Sequence, residues 1–299
     1  MGAVEPDLTS EARALVRSRL PGYRIDTVVR LGAGLDNVAY DVNGDLIVRF
    51  SSAPDPAGRA AAVQREAGVL ATVATVSPLA VPRPVFVAAE RGCLVYHKVP
   101  GIPLLDLPRS DRSGLAASVG TELGGFLSVL NALPVDRMGD LVDLDDQPFE
   151  GWRTDAADLY HTVADAIPGT FHSAIAAFLR TPLPAEDHPL VFSHNDLGIE
   201  HVLVDPNTGA VSGIIDWSDV AMVDPAFDLG LVYRDLGPVA LAAAVARYRA
   251  SDDRQDPNLV ERATFYARCS VFEDLSYGLR FGWPAYTDKA LASLTWLFP

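Results

Sequence analysis

Apolar and polar residues alternate over short stretches in the first third of the chain and recur at three- and four-residue spacing in most of the remainder. The alternation predicts strands at 23–31 (YRIDTVVRL), 37–42 (NVAYDV) and 45–50 (DLIVRF). The GAG at 32–34 reads as a tight loop between the first two, and Asn43-Gly44 as the turn of a hairpin between the second and third. An alanine-rich run without internal proline predicts a helix over 57–76. Two more strands follow, PRPVFVAAE and CLVYHKV, divided by Arg91-Gly92. From about residue 110 the spacing turns helical, over 111–133 and 155–181, with a polar, loop-like stretch between them. Two short strand pairs, VFSHNDLGIEHVLVD and AVSGIIDW, then break the helical pattern at a turn spanning Pro206 and Gly209, and helices return from about 225. Proline and glycine in HKVPGIPL interrupt the pattern and place a boundary between units 1–97 and 98–299.

Composition narrows the class. A chain of 299 residues with 49% hydrophobic content can bury a sizeable core and is not disordered. No apolar run approaches the roughly 20 residues of a membrane span, and MGAVEPDLTS lacks the basic and apolar regions of a signal peptide, so a cytoplasmic protein is expected. Two cysteines, Cys93 and Cys269, are too few for a disulfide framework or a cysteine zinc site. The 24 basic and 39 acidic side chains give a net charge of −15. That balance argues against nucleic acid and anionic membrane as partners and suits a cationic small molecule, with the protein itself a monomer or weak dimer.

The segment FSHNDLGIEHVLVD concentrates the chemistry. Asp196 sits in a loop after a short strand, and Asp216 ends the strand GIID twenty residues later. Two carboxylates at neighbouring strand ends, with His201 between them in sequence, could hold a divalent cation and orient a hydroxyl nucleophile. Phosphoryl transfer needs little more than that and a cationic side chain on the phosphates. Arg49, on the third strand, offers the cation, and Glu66 in the following helix could pair with it.

These residues resemble the aminoglycoside phosphotransferase family, small-molecule kinases with a protein-kinase-like fold, and the likeness runs over nearly the whole chain. HNDLGIEHVL is similar to the family's H-G-D-x-x-x-x-N loop, with Asn195 in place of Gly and His201 in place of the metal-binding Asn, a variant resembling macrolide kinases and some 2''-aminoglycoside kinases. IIDW resembles I-D-[FW], and DPAFDL resembles D-P-x-x-D. The resemblance implies an α+β, bilobal fold: a small antiparallel-sheet lobe with one helix that binds nucleotide, and a larger, mainly helical lobe for catalysis and substrate. It implies that Asp196 receives or orients the acceptor hydroxyl and that Asp216 is the main Mg²⁺ ligand, with His201 beside it. It further implies that Gly32, Gly34 and Asn37 belong to a loop covering ATP or GTP, that Arg49 replaces the usual Lys with Glu66 as its ion-pair partner, and that Tyr96, His97 and Lys98 form the hinge that meets the base. Asp228 is expected to hydrogen-bond the catalytic loop from below, Asp224 to cap the helix starting at Pro225, and His194 to orient backbone.

In such a fold the acceptor lies by the late helices, so VFEDLSYGLRFGW (271–283) is its expected lining. Glu273 and Asp274 could meet ammonium groups, while Trp217, Tyr277 and Trp283 could stack on sugar or macrolide faces. The reading is a Mg²⁺-dependent kinase of an aminoglycoside-type antibiotic, and so a resistance enzyme. A macrolide or another hydroxylated metabolite is the alternative acceptor. Two other classes are a metal-dependent phosphohydrolase, which would need neither Arg49 nor Glu66, and a catalytically dead nucleotide-binding regulator, which would not need Asp196 and Asp216.

Overall fold

Asn43 and Gly44 both take positive φ, 60° and 74°, the two-residue turn whose twist matches the right-handed twist of the strands it joins. It connects β2 (Asn37–Val42) to β3 (Leu46–Ser51), as the sequence predicts. The computed structural model describes residues 7–33, 37–185, 187–250 and 256–299. Gly34 lies outside them. The chain divides into two compact units: the described residues of Met1–Val76 with Ala80–Val99, and those of Ser77–Leu79 with Pro100–Pro299.

The first unit opens with α1 (Thr9–Arg19) and β1 (Val28–Ala33), and continues past β3 through α2 (Pro56–Val73), β4 (Arg83–Ala88) and β5 (Cys93–His97). Its strands form one antiparallel sheet in the order β1-β2-β3-β5-β4. Tyr40, Val42, Val48 and Val95 are buried on that sheet against Ala12 and Val16 of α1. Two expectations shift. The first strand begins at Val28, not at 23, because the Asn43 side chain accepts from the N–H groups of Asp26 and Thr27 and donates to the Arg24 carbonyl. These backbone groups are satisfied by a side chain, so no ladder forms there. Gly32, expected in a loop, lies in β1 beside a register shift between Arg30 and Gly32.

The second unit runs β6 (Ile102–Pro103), α3 (Arg109–Leu130), α4 (Val135–Met138), β7 (Asp143–Leu144), α5 (Phe149–Val163), α6 (His172–Phe178), β8 (Val191–Ser193), β9 (Val202–Val204), β10 (Val211–Ile214), β11 (Ala221–Val223), α7 (Ala226–Arg249), α8 (Leu259–Phe281) and α9 (Pro284–Leu297). Two three-stranded sheets, β10-β9-β6 and β7-β11-β8, carry the loops of chemical interest. The single helix expected over 155–181 is divided into α5 and α6, with Pro168-Gly169 between them. A kink in α7 falls at Gly237, with φ 80°, followed by Pro238, which has no N–H to give the helix.

Helices α3 and α7 are by length and composition apolar enough to cross a membrane, but more than half of each apolar window is buried inside this unit. Their contact explains the composition. A Cβ on Gly120 would lie 2.4 Å from the Ala240 carbonyl oxygen, and one on Gly124 would lie 2.1 Å from that of Ala244. Backbone meets backbone, so neither side can yield by changing a rotamer. Gly124→Ala is therefore expected to destabilise the protein by about 1–3 kcal/mol or more, read as a lower urea midpoint. Gly114→Ala in the same helix, where an added Cβ meets nothing within 4 Å, should leave the midpoint unchanged or raise it.

Candidate active site

The loop 194–201, the candidate for catalysis, leaves β8 and is pinned from beneath by one carboxylate. Asp228, on the first turn of α7 and fully buried, accepts from Ser193 Oγ (2.5 Å), Asn195 N (3.0 Å) and Leu197 N (3.2 Å). Asn131, at the end of α3, donates to the Phe192 carbonyl at 2.9 Å. Asn195 itself is left-handed, φ 62°, a region open to Gly and, among other residues, chiefly to Asn and Asp. Its amide donates to the Asp219 carbonyl (3.1 Å) and Asp145 Oδ2 (3.3 Å), so the side chain that stands for the family's Gly also ties the loop to its neighbours.

Three groups converge above this floor. His201 Nδ1 donates to the Asp196 carbonyl at 2.8 Å and lies 3.2 Å from Asp196 Oδ2. Its other nitrogen, Nε2, lies 3.8 Å from Asp216 Oδ2. Asp216, φ 61°, receives Ser218 Oγ on Oδ1 at 3.0 Å. The Asp196 side chain keeps 40% of its surface exposed, so a hydroxyl can reach it. Despite that open face, the protein packed around the rest of the side chain desolvates the Asp196 carboxyl and pushes it up to about 8, with the His201 charge pulling the other way. Burial also works against a charged His201, but Asp196, Asp216 and Glu200 overcome it and raise the imidazole to about 9. His194 is the contrasting case. Burial outweighs the pull of Asp228 and lowers its pKa, and the neutral ring donates from Nε2 to the Ile215 carbonyl at 3.0 Å, the backbone-orienting role expected of it.

A Mg²⁺ ion fits the donor set on chemical grounds. Such ions keep several waters and take only one or two protein carboxylates plus substrate phosphates. Asp216 would supply the carboxylate; His201, charged beside the three carboxylates, would add Nε2 only on giving up its proton to the ion's field, Nδ1 being committed to backbone. Among the described residues no group of three or more His, Cys, Asp or Glu side chains is arranged to hold a metal ion.

In the sheet unit, Arg49 Nη1 meets Glu66 Oε1 at 2.5 Å, and both side chains are below 10% exposed. This is a buried pair, not a surface one. Asn37 opens β2 opposite Ser51, and Tyr96 and His97 close β5, Tyr96 buried and His97 exposed. The expectation that Lys98 opens its backbone to a base is narrowed: its N–H donates to the Asp45 carbonyl at 2.8 Å, and its ammonium pairs with Asp41 at 2.7 Å.

Two expected acceptor contacts are corrected by burial. Trp217 is 1% exposed, donating to the Ile214 carbonyl and meeting the ring of His194 edge-on at 4.8 Å; it is core. Asp274 is 6% exposed and lies 3.0 Å from the Lys289 ammonium, inside the fold. Successive side chains of a helix are turned by about 100°, and in the adjacent pair Glu273-Asp274 that turn leaves Glu273 exposed and Asp274 buried. Glu273 is exposed and joins Asp155, Asp158, Trp152, Gln147 and Ser270 around a cavity of about 510 Å³ between α5 and α8. One turn further along α8, Tyr277 gathers with Phe281, Trp283 and Tyr286 at centroid distances of 4.8–5.2 Å. Burial, then the charges of Asp196, Glu200 and Asp216, raises the Tyr277 hydroxyl above the ordinary phenol range.

Sequence reasoning missed Asp155 and Asp158, which look like any solvent-facing carboxylates of an amphipathic helix until α8 is set against α5. It also missed Arg262. This fully buried guanidinium binds Asp224 through two hydrogen bonds, 2.7 and 2.9 Å, and Asp256 at 2.7 and 3.2 Å. Asp224 accepts from Ala226 N at 2.9 Å at the start of α7, which begins one residue later than expected, and its main partner is Arg262.

A carboxylate open to a hydroxyl, an imidazole and a second carboxylate aligned behind it, and a buried Arg–Glu pair on a five-stranded sheet are the parts of a kinase-like phosphotransferase. The chain belongs to the phosphotransferase enzyme family, whose model matches residues 27–262. Its fold is similar to that of the GDP complex of wild-type aminoglycoside 2'-phosphotransferase-IIIa (TM-score 0.69, 20% identity, covering 96% of this chain and 97% of that one). It is also similar to the GDP and kanamycin complex of APH(2")-IIia (0.66, 21%, 95% and 97%) and to apo macrolide 2'-phosphotransferase MphH from Brachybacterium faecium (0.66, 23%, 97% and 98%). No curated protein matches the sequence closely enough to count as a relative.

Proposed function

We propose that the protein is a Mg²⁺-dependent kinase that transfers the γ-phosphoryl group of ATP or GTP to a hydroxyl of an amine-bearing, aminoglycoside-type acceptor. The observation that carries the reading is the alignment of Asp196, His201 and Asp216 described above. Asp196 accepts the acceptor's hydroxyl proton or orients that hydroxyl for in-line attack. Asp216, with His201 Nε2 beside it, would hold Mg²⁺, which when bound neutralises charge on the phosphates. The positive field of such an ion also favours an ionised Asp196. Arg49, kept straight by Glu66, would bind nucleotide phosphate with a fork of donors. With Asp196 and Asp216 both present and open, a catalytically dead regulator is the poorer reading. Nothing in a phosphohydrolase would call for the Arg49–Glu66 pair.

The acceptor class rests on the α5–α8 groove. Its volume suits a small ligand, and Asp155, Asp158 and Glu273 give it negative charge to meet ammonium groups. Glu273, in the lining of the groove, and Tyr277 are four residues apart on α8 and so lie on one helix face. One observation favours a macrolide instead: Phe281 and Trp283 are 41% and 39% exposed beside Tyr277, an aromatic surface suited to a large apolar ring.

Incubation with Mg²⁺, nucleotide and a panel of antibiotics, read by mass for a phosphorylated product, tests the reaction. Salt then separates the acceptors. Attraction between a polycation and an acidic groove reaches only about 8 Å at physiological ionic strength. For an aminoglycoside, acceptor KM should rise steeply with salt while nucleotide KM rises much less, and Asp158→Asn/Glu273→Gln should flatten the response. A salt-independent acceptor KM that rises on Trp283→Ala would instead select the macrolide.

A further inference from the structure

The catalytic loop contains one charge for which phosphoryl transfer has no use. Glu200 folds back over Gly198 so tightly that a Cβ there would come within 2.5 Å of its carboxylate. The Glu200 carboxylate accepts from the Lys289 ammonium of α9 at 2.8 Å. Lys289 is 3% exposed. The same ammonium lies 3.0 Å from Asp274 of α8 and 3.3 Å from Asp235 of α7. Asp235 is gripped by the Arg234 guanidinium at 2.7 and 3.1 Å and accepts the backbone N–H of Ile199 at 3.1 Å. Two neighbouring residues of the loop, Ile199 and Glu200, are thus held from below by one network, one through its main chain and the other through its side chain. The next residue is His201, whose Nδ1 fixes the Asp196 carbonyl.

We propose that Lys289 is a positioning residue for phosphoryl transfer: by holding Glu200 and Asp235 together it sets the turn Ile199–His201, and through His201 the placement of Asp196. The inference rests on the kinase reading of the site. Three features favour this over a role in fold stability alone. Removing three carboxylates and two cations from water costs roughly what their attraction returns, so a buried network of this kind contributes little net stability compared with apolar side chains of the same volume. Its contacts converge on two consecutive loop residues, and the remaining members come from three helices: Arg234 and Asp235 from α7, Asp274 from α8 and Lys289 from α9. Lys289 Nζ also lies 5.1 Å from the centroid of Tyr286, which ties the aromatic cluster of Tyr277 and Trp283 to the same point. Burial disfavours charge on Lys289, and Asp235, Asp274 and Glu200 more than compensate, raising its pKa, so the ammonium stays charged across the working range.

The test uses full-length Lys289→Met, Glu200→Gln and Glu200→Gln/Lys289→Met, with active sites counted by nucleotide titration and melting temperature recorded alongside. A displacement on the order of 1 Å at the reacting groups costs about a hundredfold in rate. Each single substitution should therefore lower kcat per active site by about 10- to 100-fold with nucleotide KM unchanged, and the double variant should be no worse than the poorer single one, as members of one linkage couple. A kcat per active site equal to wild type, with only the melting temperature lowered, would overturn the positioning role and leave the kinase reading intact. If Lys289→Met fails to fold, Glu200→Gln decides alone, and normal turnover in that variant overturns the proposal. A wild-type protein that phosphorylates no acceptor overturns the kinase reading and the positioning role with it.

Discussion

Asp196→Asn should abolish measurable transfer while the protein still binds nucleotide. The amide keeps the shape of the carboxylate and its place beside His201, but it cannot take a proton, and a positioned general base contributes about 10²–10⁴-fold. The loss should fall on kcat, with nucleotide affinity from calorimetry close to wild type. Asp216→Ala should differ in kind, losing the Mg²⁺ dependence of nucleotide binding as well as rate. Turnover near wild type in Asp196→Asn would remove Asp196 from the mechanism and with it the reading of the loop.

The largest effect on stability is expected outside the reaction centre. Arg262→Met removes the cation that Asp224 and Asp256 share, and leaves the Asp224 carboxylate, 1% exposed, without its counter-charge. Breaking a buried pair in this way costs about 3–5 kcal/mol, or a fall of roughly 6–20 °C in Tm for a unit of this size. Adding Asp224→Asn should recover part of the loss, because the stranded charge is gone even though the hydrogen bonds are not restored. A double variant less stable than Arg262→Met would show that Asp224 does its work through Ala226 N at the head of α7 and not through the ion pair.

The elements governed by local rules were legible in the sequence. Asn-Gly announces its own turn, the alanine-rich run its helix, and the order of strands and helices the architecture. The loop HNDLGIEH was legible because its chemistry is packed into eight consecutive residues. What depended on tertiary partners was not. The chain from 24 to 27 reads as strand, yet a distant asparagine side chain takes its hydrogen bonds. Glu273 and Asp274 have the same charge at adjacent positions, and only the direction in which α8 presents its faces makes one a groove residue and the other a buried partner of Lys289. Trp217 follows the metal-ligand candidate directly and invites a ligand-stacking role. The ring instead turns inward against His194 and Phe126. Arg262 gives no local signal, since a single arginine in an amphipathic helix is ordinarily a solvated one.

Asp216 and Asn195 share a left-handed backbone conformation at the two ends of the site, φ 61° and 62°. For residues other than glycine such a conformation carries a cost of up to about 1–3 kcal/mol, at the lower end for Asp and Asn. The two positions therefore differ in what selection could do with them. At 195, glycine would relieve the backbone but surrender the ties to Asp145 and Asp219. At 216, glycine would also relieve it, and would delete the carboxylate on which the metal reading depends. A laboratory search for heat resistance alone, with no demand for turnover, would be drawn toward glycine at 216 and would give up the carboxylate proposed to hold the metal. The melting point of this enzyme is in that sense partly a property of its chemistry.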